Sequence, residues 1–269
     1  MGLRINNNLP ALDAARQTNR TSSLLTQQLE RLASGRRINR AADDAAGLAI
    51  AERFSTRVRQ GQAELNNLQT GVNLAQTADG GLEIQQQALG RLRELAVQGA
   101  NGTLNDDQRT ALNAEAQQLI EQIGGVANDT QFNGVALLNG SQSNVSLGVE
   151  GEIQVNLDES TPDALGVSGL DISSQGGAAA ALGTIDTALS RVDQSRSSLG
   201  AQQNRFESAI QQRETNIANA QDAESRIRDL DVARASIEQS RNEVLLQASI
   251  AGTVQGNVTA QSALRVLGQ

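Results

Sequence analysis

The sequence predicts a mainly α-helical protein: a long antiparallel helical rod or coiled-coil bundle, with a small β-hairpin region and termini that pair as helices. Three observations predict it. Apolar residues recur every seven positions over long stretches, only two prolines interrupt 269 residues, and aromatic side chains make up 1% of the chain. A seven-residue apolar repeat is the seam of helices wound around each other. Proline is the residue that would break them. Phe54, Phe132 and Phe206 are the only aromatics, so the apolar stock is Ala, Leu, Ile and Val, which suits close helix packing.

The first strong helix is expected from about Leu48 to Gln98. Val58, Leu65 and Val72 fall seven apart, and so do Leu68, Ala75, Leu82 and Leu89, the two series interleaving at three and four. "GANGTLNDDQ", residues 99–108, breaks the pattern and supplies caps for a second helix. That helix should run from about Asp106 to Ile123 and stop at Gly124–Gly125. In "NVSLGVEGEIQVNL" the period drops to two: Val145, Leu147 and Val149, then Ile153, Val155 and Leu157, around Glu150–Gly151. That is a β-hairpin pattern, spanning about 144–157.

The second long helix should start near Gly177. Ile185, Val192, Leu199 and Phe206 fall seven apart, while Arg196, Gln203, Arg213 and Glu224 put polar groups into the seam. Polar seam residues lower stability and fix register. Both chain ends keep helical spacing with little apolar bulk. Ile5, Leu9 and Leu12 come first, then Leu25, Leu29 and Leu32, and near the other end Ile237, Val244, Ala251 and Val258. A lone helix with so small a face is marginal in water, so these ends should order only against a partner. The picture is a helical hairpin whose termini meet.

Composition excludes much chemistry. No cysteine or histidine is present and every one of the 22 basic residues is arginine, so thiolate, imidazole and lysine catalysts are ruled out, as are ordinary zinc sites. The expectation is a protein that is not an enzyme and carries no cofactor or metal. A net charge of −8 argues against nucleic acid. No apolar run approaches the ~20 residues that span a bilayer, so no membrane insertion is expected. "MGLRINNNLPAL" lacks the pattern of a cleaved signal peptide. A cytoplasmic protein fits this, and so does one exported by a route that leaves its substrate uncut.

Several long segments then carry a family resemblance: "LERLASGRRINRAADDAAGLAIAERF" (Leu29–Phe54), "LRELAVQGANGTLNDDQR" (Leu92–Arg109), "TQFNGVALLNG" (Thr130–Gly140), "RSSLGAQQNRFESAI" (Arg196–Ile210) and "ESRIRDLDVA" (Glu224–Ala233). In this order they resemble bacterial flagellin, the subunit of the flagellar filament. The resemblance implies an inner terminal domain built from both chain ends, 1–43 and 234–269, and a rod domain built from the segments inside them, 44–177 and 178–233. Asn139–Gly177 leaves room only for the hairpin and its connections, so the large outer domains of many flagellins are expected to be absent, along with the histidine-dependent peptidase some of them carry. The C-terminal "GNVTAQSALRVLGQ" departs from the usual ending. The resemblance further implies self-polymerisation for swimming motility, export through the flagellar apparatus to the extracellular filament, and an export chaperone, filament cap and hook–filament junction proteins as partners. The hook–filament junction protein itself is the nearest competing identity, and a non-flagellar helical adaptor is the alternative from another class.

Three groups of residues are candidate sites. Asp43–Asp44 are adjacent, so on a helix they point about 100° apart and make a poor acid–base pair. They are better suited to capping the helix that begins "AAGLAIA". Arg36, Arg37 and Arg40 beside them are candidates for charge pairs at a domain junction or between subunits. In "GRLRELAVQ", Leu92 and Leu95 read as helix packing and Arg91 as solvated. The resemblance makes Arg91, Leu92 and Leu95, with Glu115 on the next helix, a subunit contact and the patch sensed by the flagellin-recognising Toll-like receptor. Leu25, Leu29, Leu32, Ile237, Val244 and Val258 are the candidates for terminal coiled-coil assembly. Ser141, Ser143 and Ser173 are candidate O-glycosylation positions by the same resemblance. Asp79, Asp106–Asp107, Asp229 and Asp231 lack calcium-loop spacing.

Overall fold

A computed structural model describes residues 8–148 and 153–267. Along the chain these form α1 (Leu9–Ser34), α2 (Ala45–Gly99), α3 (Asp106–Asp129), β1 (Gln131–Phe132), β2 (Val135–Ala136), β3 (Asn144–Ser146), β4 (Gln154–Asn156), α4 (Pro162–Leu165), α5 (Gln175–Arg228) and α6 (Val232–Leu267). The fold is a helical bundle with a small β region.

The residues group into two compact units, Arg59–Ile217 on one side and Met1–Val58 with Ala218–Gln269 on the other. The sequence places the edges at 43/44 and 233/234 instead. Helix ends do fall near those points, with α2 beginning at Ala45 and α6 at Val232. The units divide inside α2 and α5 because the early turns of α2 and the late turns of α5 are tied to the linkers beside them. Arg37, for example, bonds the Ile227 carbonyl, and Arg228 bonds Glu52.

In the unit Arg59–Ile217, the two heptad series meet as the spacing requires. Leu65, Leu68, Ala75, Leu82 and Leu89 of α2 are buried, as are Ile185, Val192, Leu199 and Phe206 of α5. Two of the polar interruptions of the α5 series, Arg196 and Arg213, find partners on α2. Arg196 donates to both Asp79 oxygens at 2.8 and 3.4 Å and to Gln86 at 2.6 Å, and Arg213 stands 2.7 Å from Glu64. Outside the seam, Arg93 meets Asp186 at 2.6 Å and Gln86 meets Asp193 at 2.6 Å. The pairs descend along α2 as they climb along α5, which fixes an antiparallel register.

The second helix runs further than its glycines suggest. α3 passes through Gly124–Gly125 to Asp129, where Thr130 turns both its N–H and its hydroxyl to the Val126 carbonyl. Glycine inside a helix costs about 1 kcal/mol against alanine. Here Ala127 is fully buried in the core, and Gly124 faces Pro162.

β3 and β4 pair antiparallel as expected, Val145 opposite Val155, with Val155 and Leu157 buried. Their turn, Glu150–Gly151, lies outside the described residues. A further hairpin, β1–β2, turns on Asn133–Gly134, both at positive φ (51° and 78°). That dipeptide between apolar residues is a strong hairpin signal, and the sequence reading did not use it.

Candidate functional site

In the unit that holds both chain ends, α1 and α6 pack together through small and polar side chains. The shielded positions of α1 are Ala11, Ala14, Thr18, Thr21, Leu25, Gln28 and Leu32, alternating at three and four; those of α6 are Ala235, Gln239, Asn242, Leu246, Ser249, Thr253 and Gly256. The spacing is that of a coiled coil although the residues are not. A Cβ on Gly256 would come 3.3 Å from the Ala11 nitrogen, so the backbones run close there. Thr18 donates to Ser249 at 3.1 Å, Asn8 to the Gly256 carbonyl at 3.1 Å, and Gln28 to Glu238.

Of the six residues expected in a terminal coiled coil, Leu25 and Leu32 lie in this seam. Leu29, Ile237, Val244 and Val258 do not: they are 47%, 71%, 64% and 51% exposed. The α6 series Ile237–Val244–Val258 is offset by two residues from Ala235–Asn242–Ser249–Gly256. At 100° per residue that puts it about 200° round the helix, on the opposite face. Leu9, Leu12 and Leu24 of α1 and Leu245, Ile250 and Val254 of α6 are also exposed. Thus the bulkier apolar side chains of the pair point outward. Ile5 lies outside the described residues.

The two linkers between terminal and long helices pair by backbone. Arg37 N–H donates to the Arg228 carbonyl at 2.7 Å, and Leu230 N–H to the Gly35 carbonyl at 3.0 Å, with Arg36 opposite Asp229. The Arg37 guanidinium donates to the Ile227 carbonyl at 2.7 Å, and Arg40 binds Glu30 at 2.8 Å. Ile38 is buried beneath them.

The adjacent aspartates divide the work. Asp44 accepts from the Gly47 N–H at 2.8 Å at the start of α2. Asp43 accepts the Arg40 and Asn39 N–H groups at 3.0 and 3.1 Å on one oxygen and Gln27 at 3.0 Å on the other, with Arg31 at 3.6 Å. Those backbone donors, Arg40 first and Asn39 next, lower its pKa, and Gln27 and Arg31 add to the shift against some desolvation. No acid–base dyad results, since both carboxylates are occupied as structural acceptors. Gln27 and Arg31 were not singled out in the sequence.

A carboxyl with a depressed pKa stabilises the fold above its unfolded value, about 3.9, and loses that contribution as pH falls through the lower folded value. Asp43→Asn is therefore expected to destabilise the terminal unit at neutral pH. It should also flatten the acid limb of its unfolding curve, followed by circular dichroism between about pH 6 and pH 2. An acid limb identical to that of the unsubstituted chain would refute this role.

Arg91 is exposed on α2 and spans to α3. It donates to Glu115 at 2.9 and 3.1 Å and to Glu94 at 2.9 Å, and these two acceptors, Glu94 first, raise its pKa. Leu92 and Leu95, grouped with it from the sequence, are 0% and 1% exposed and belong to the core. They face the inside because the α2 core series Leu82–Leu89 continues through Leu92 and Ala96, leaving Arg91 and Glu94 outside. Arg109, buried at the α2–α3 corner, was also missed. It donates to the Gly99 and Asn101 carbonyls at 3.1 and 2.9 Å, closing the end of α2. Among the described residues no helix is long and apolar enough to cross a membrane, and no acidic group is arranged to hold a metal.

Comparison with known proteins decides the family. The bacterial flagellin N-terminal helical region matches residues 5–143, and the bacterial flagellin C-terminal helical region matches residues 182–267. This chain belongs to the bacterial flagellin family. It is similar to a flagellin of Halalkalibacterium halodurans, 41% identical with 98% of this chain and 99% of the relative covered. It is also similar to the flagellar filament 30.7 kDa core protein of Treponema maltophilum, 36% identical over the same shares. The fold alone is shared with a putative flagellar hook-associated protein from Vibrio parahaemolyticus, at a TM-score of 0.53, 16% identity, and 70% and 97% coverage. As a flagellin the chain is a structural filament subunit, and its described β region is limited to two short hairpins between the helical arms.

Proposed function

We propose that this flagellin polymerises through the outward apolar faces of α1 and α6, and that the Arg91–Glu115 patch is a surface on which other proteins recognise it. The observation that carries the first part is the inversion of the terminal pair: its seam is small and polar, while Ile237, Val244 and Val258 stand exposed. Such a pair gains little from its own burial, and much from burying the other face against neighbours. Arg36, Arg37, Arg40, Asp43 and Asp44 serve this reading as the joint that holds the two linkers together. No catalysis is part of it, and the working location is the extracellular filament, reached by flagellar export. The export chaperone, filament cap and hook–filament junction proteins are the partners this role requires. Electron microscopy of purified protein after seeding tests the reading directly: fibres are expected, and a monomer that never elongates would sink it.

The recognition part rests on exposure and family resemblance. Arg91 and Glu115 are both about half exposed, with side-chain values of 51% and 45%, and are locked to each other. A surface ion pair contributes at most about 1 kcal/mol to stability, whereas an exposed arginine is a frequent binding hot spot. Arg91→Ala should weaken binding to the ectodomain of the flagellin-sensing Toll-like receptor by about tenfold or more, measured by surface plasmon resonance. Unchanged affinity would remove Arg91 from the recognition patch.

A further inference from the structure

Beyond the terminal helices, the first turns of α2 carry a face with no partner. Ala46, Ala49, Ile50, Arg53 and Arg57 recur at three and four, so they share one side of the helix, and all are exposed. Ile50 is the bulky apolar residue there. Arg53 and Arg57 make no ion pair among the described residues, and the Arg57 guanidinium lies 5.9 Å from the centre of the Phe54 ring. The nearby acid, Glu52, is taken by Arg228 at 3.0 Å. Residues 31–59 hold seven arginines against three acids, in a chain whose net charge is −8.

The compensating charge lies elsewhere. Residues 100–173 hold eleven carboxylates against one arginine, a net charge of −10, and that arginine, Arg109, is buried. Glu121, Asp129, Glu159 and Asp163 are exposed and form no ion pair among the described residues. The fold gathers them at the end of α3: Gly124 adjoins Pro162, Asn139 bonds Asn128, and Gly140 lies over Glu159. Asp129 is the last residue of α3, where the carbonyl ends already make the field negative, so it adds to an unfavourable charge rather than relieving it. Arg191 of α5 gives its N–H to the Ala164 carbonyl instead of a carboxylate. Along α3, Gly125 stands four residues from both Glu121 and Asp129, with open space where a Cβ would be. The patch is acidic at its edges and flat at its centre.

We propose that the Ala46–Arg57 face of one copy docks on the α3–α4 acidic end of a second copy, with Arg53 and Arg57 meeting the carboxylates and Ile50 lying over the flat helix between them. The inference rests on the self-association reading and adds to it a charged contact that sets register. Complementary charge of this kind speeds encounter and rejects misaligned partners more than it adds affinity.

A charge-swap experiment on the full chain tests it. One variant carries Arg53→Glu and Arg57→Glu, the other Glu121→Arg and Asp163→Arg, all at exposed positions. Seeded elongation is followed by light scattering, and the melting of dilute monomer by circular dichroism. Each variant alone should elongate about tenfold more slowly or worse, and an equimolar mixture of the two should recover to within about threefold of the unsubstituted chain. Unchanged elongation of either variant, or a mixture no better than its components, overturns the contact. A shift in monomer melting that tracks the swap would place the contact within one chain and also overturn it. Failure of the unsubstituted chain to elongate at all would instead strike the self-association reading, and this proposal with it.

Discussion

Replacing Ile237, Val244 and Val258 together with serine should abolish seeded filament growth at concentrations where the unsubstituted flagellin elongates freely. None of the three contributes to the α1–α6 seam; each is more than half exposed. Their removal therefore leaves the Thr18–Ser249, Asn8–Gly256 and Gln28–Glu238 bonds intact. Burying one such side chain contributes about 1.5–3 kcal/mol. Because the three are already partly shielded, at 71%, 64% and 51% exposed, together they would gain roughly 3–5 kcal/mol, a factor of about 10²–10⁴ in the equilibrium for adding a subunit. Sedimentation of the polymer over a concentration series reads that factor as a rise in critical concentration. Thermal melting of the central unit should stay where it was. A critical concentration within about threefold of the original would show that the outward face of α6 is solvated in the polymer, and would return the assembly role to the seam.

The contrast between the two ends and the centre explains what was legible in the sequence. In the central unit, burial follows bulk, so the series Leu68–Ala75–Leu82–Leu89 and Ile185–Val192–Leu199–Phe206 marked its seam correctly. At the ends the rule is reversed. The contact between α1 and α6 runs mostly through Ala, Thr, Gln, Asn, Ser and Gly, with only Leu25, Leu32 and Leu246 among them, while the α6 heptad Ile237–Val244–Val258 marks the exposed face. Assigning every apolar stripe to the chain's own core fails at α6, where the stripe stands exposed. The capping role of Asp44 was readable from local chemistry. The donors that converge on Asp43 from Gln27 and Arg31 come from the preceding helix, and only the chain's turn at Gly35 brings them near. Past Gly124–Gly125, α3 continues with Ala127 buried in the core, a tertiary contact that no local pattern announces.

Leu92→Ala should separate the recognition surface from the core beneath it. The Leu92 side chain is fully buried beside Leu89, Leu95 and Ala96 in the main hydrophobic cluster. Truncating such a leucine removes its transfer free energy and leaves a cavity, at a cost of about 2–5 kcal/mol. For a domain of this size each kcal/mol moves the midpoint by about 2–4 °C, so the central unit should melt roughly 5–15 °C lower. Arg91→Ala, one residue away, removes only an exposed ion pair and should leave the midpoint within about 2 °C. At a temperature where both variants remain folded, the order reverses for receptor binding: Arg91→Ala loses affinity, while Leu92→Ala retains the guanidinium and its Glu115 partner on the surface. If the folded Leu92→Ala protein bound the receptor as poorly as Arg91→Ala, recognition would be reading the packing of α2 against α3 as well as the charges above it. Equal melting of Leu92→Ala and the unsubstituted chain would contradict its place in the core.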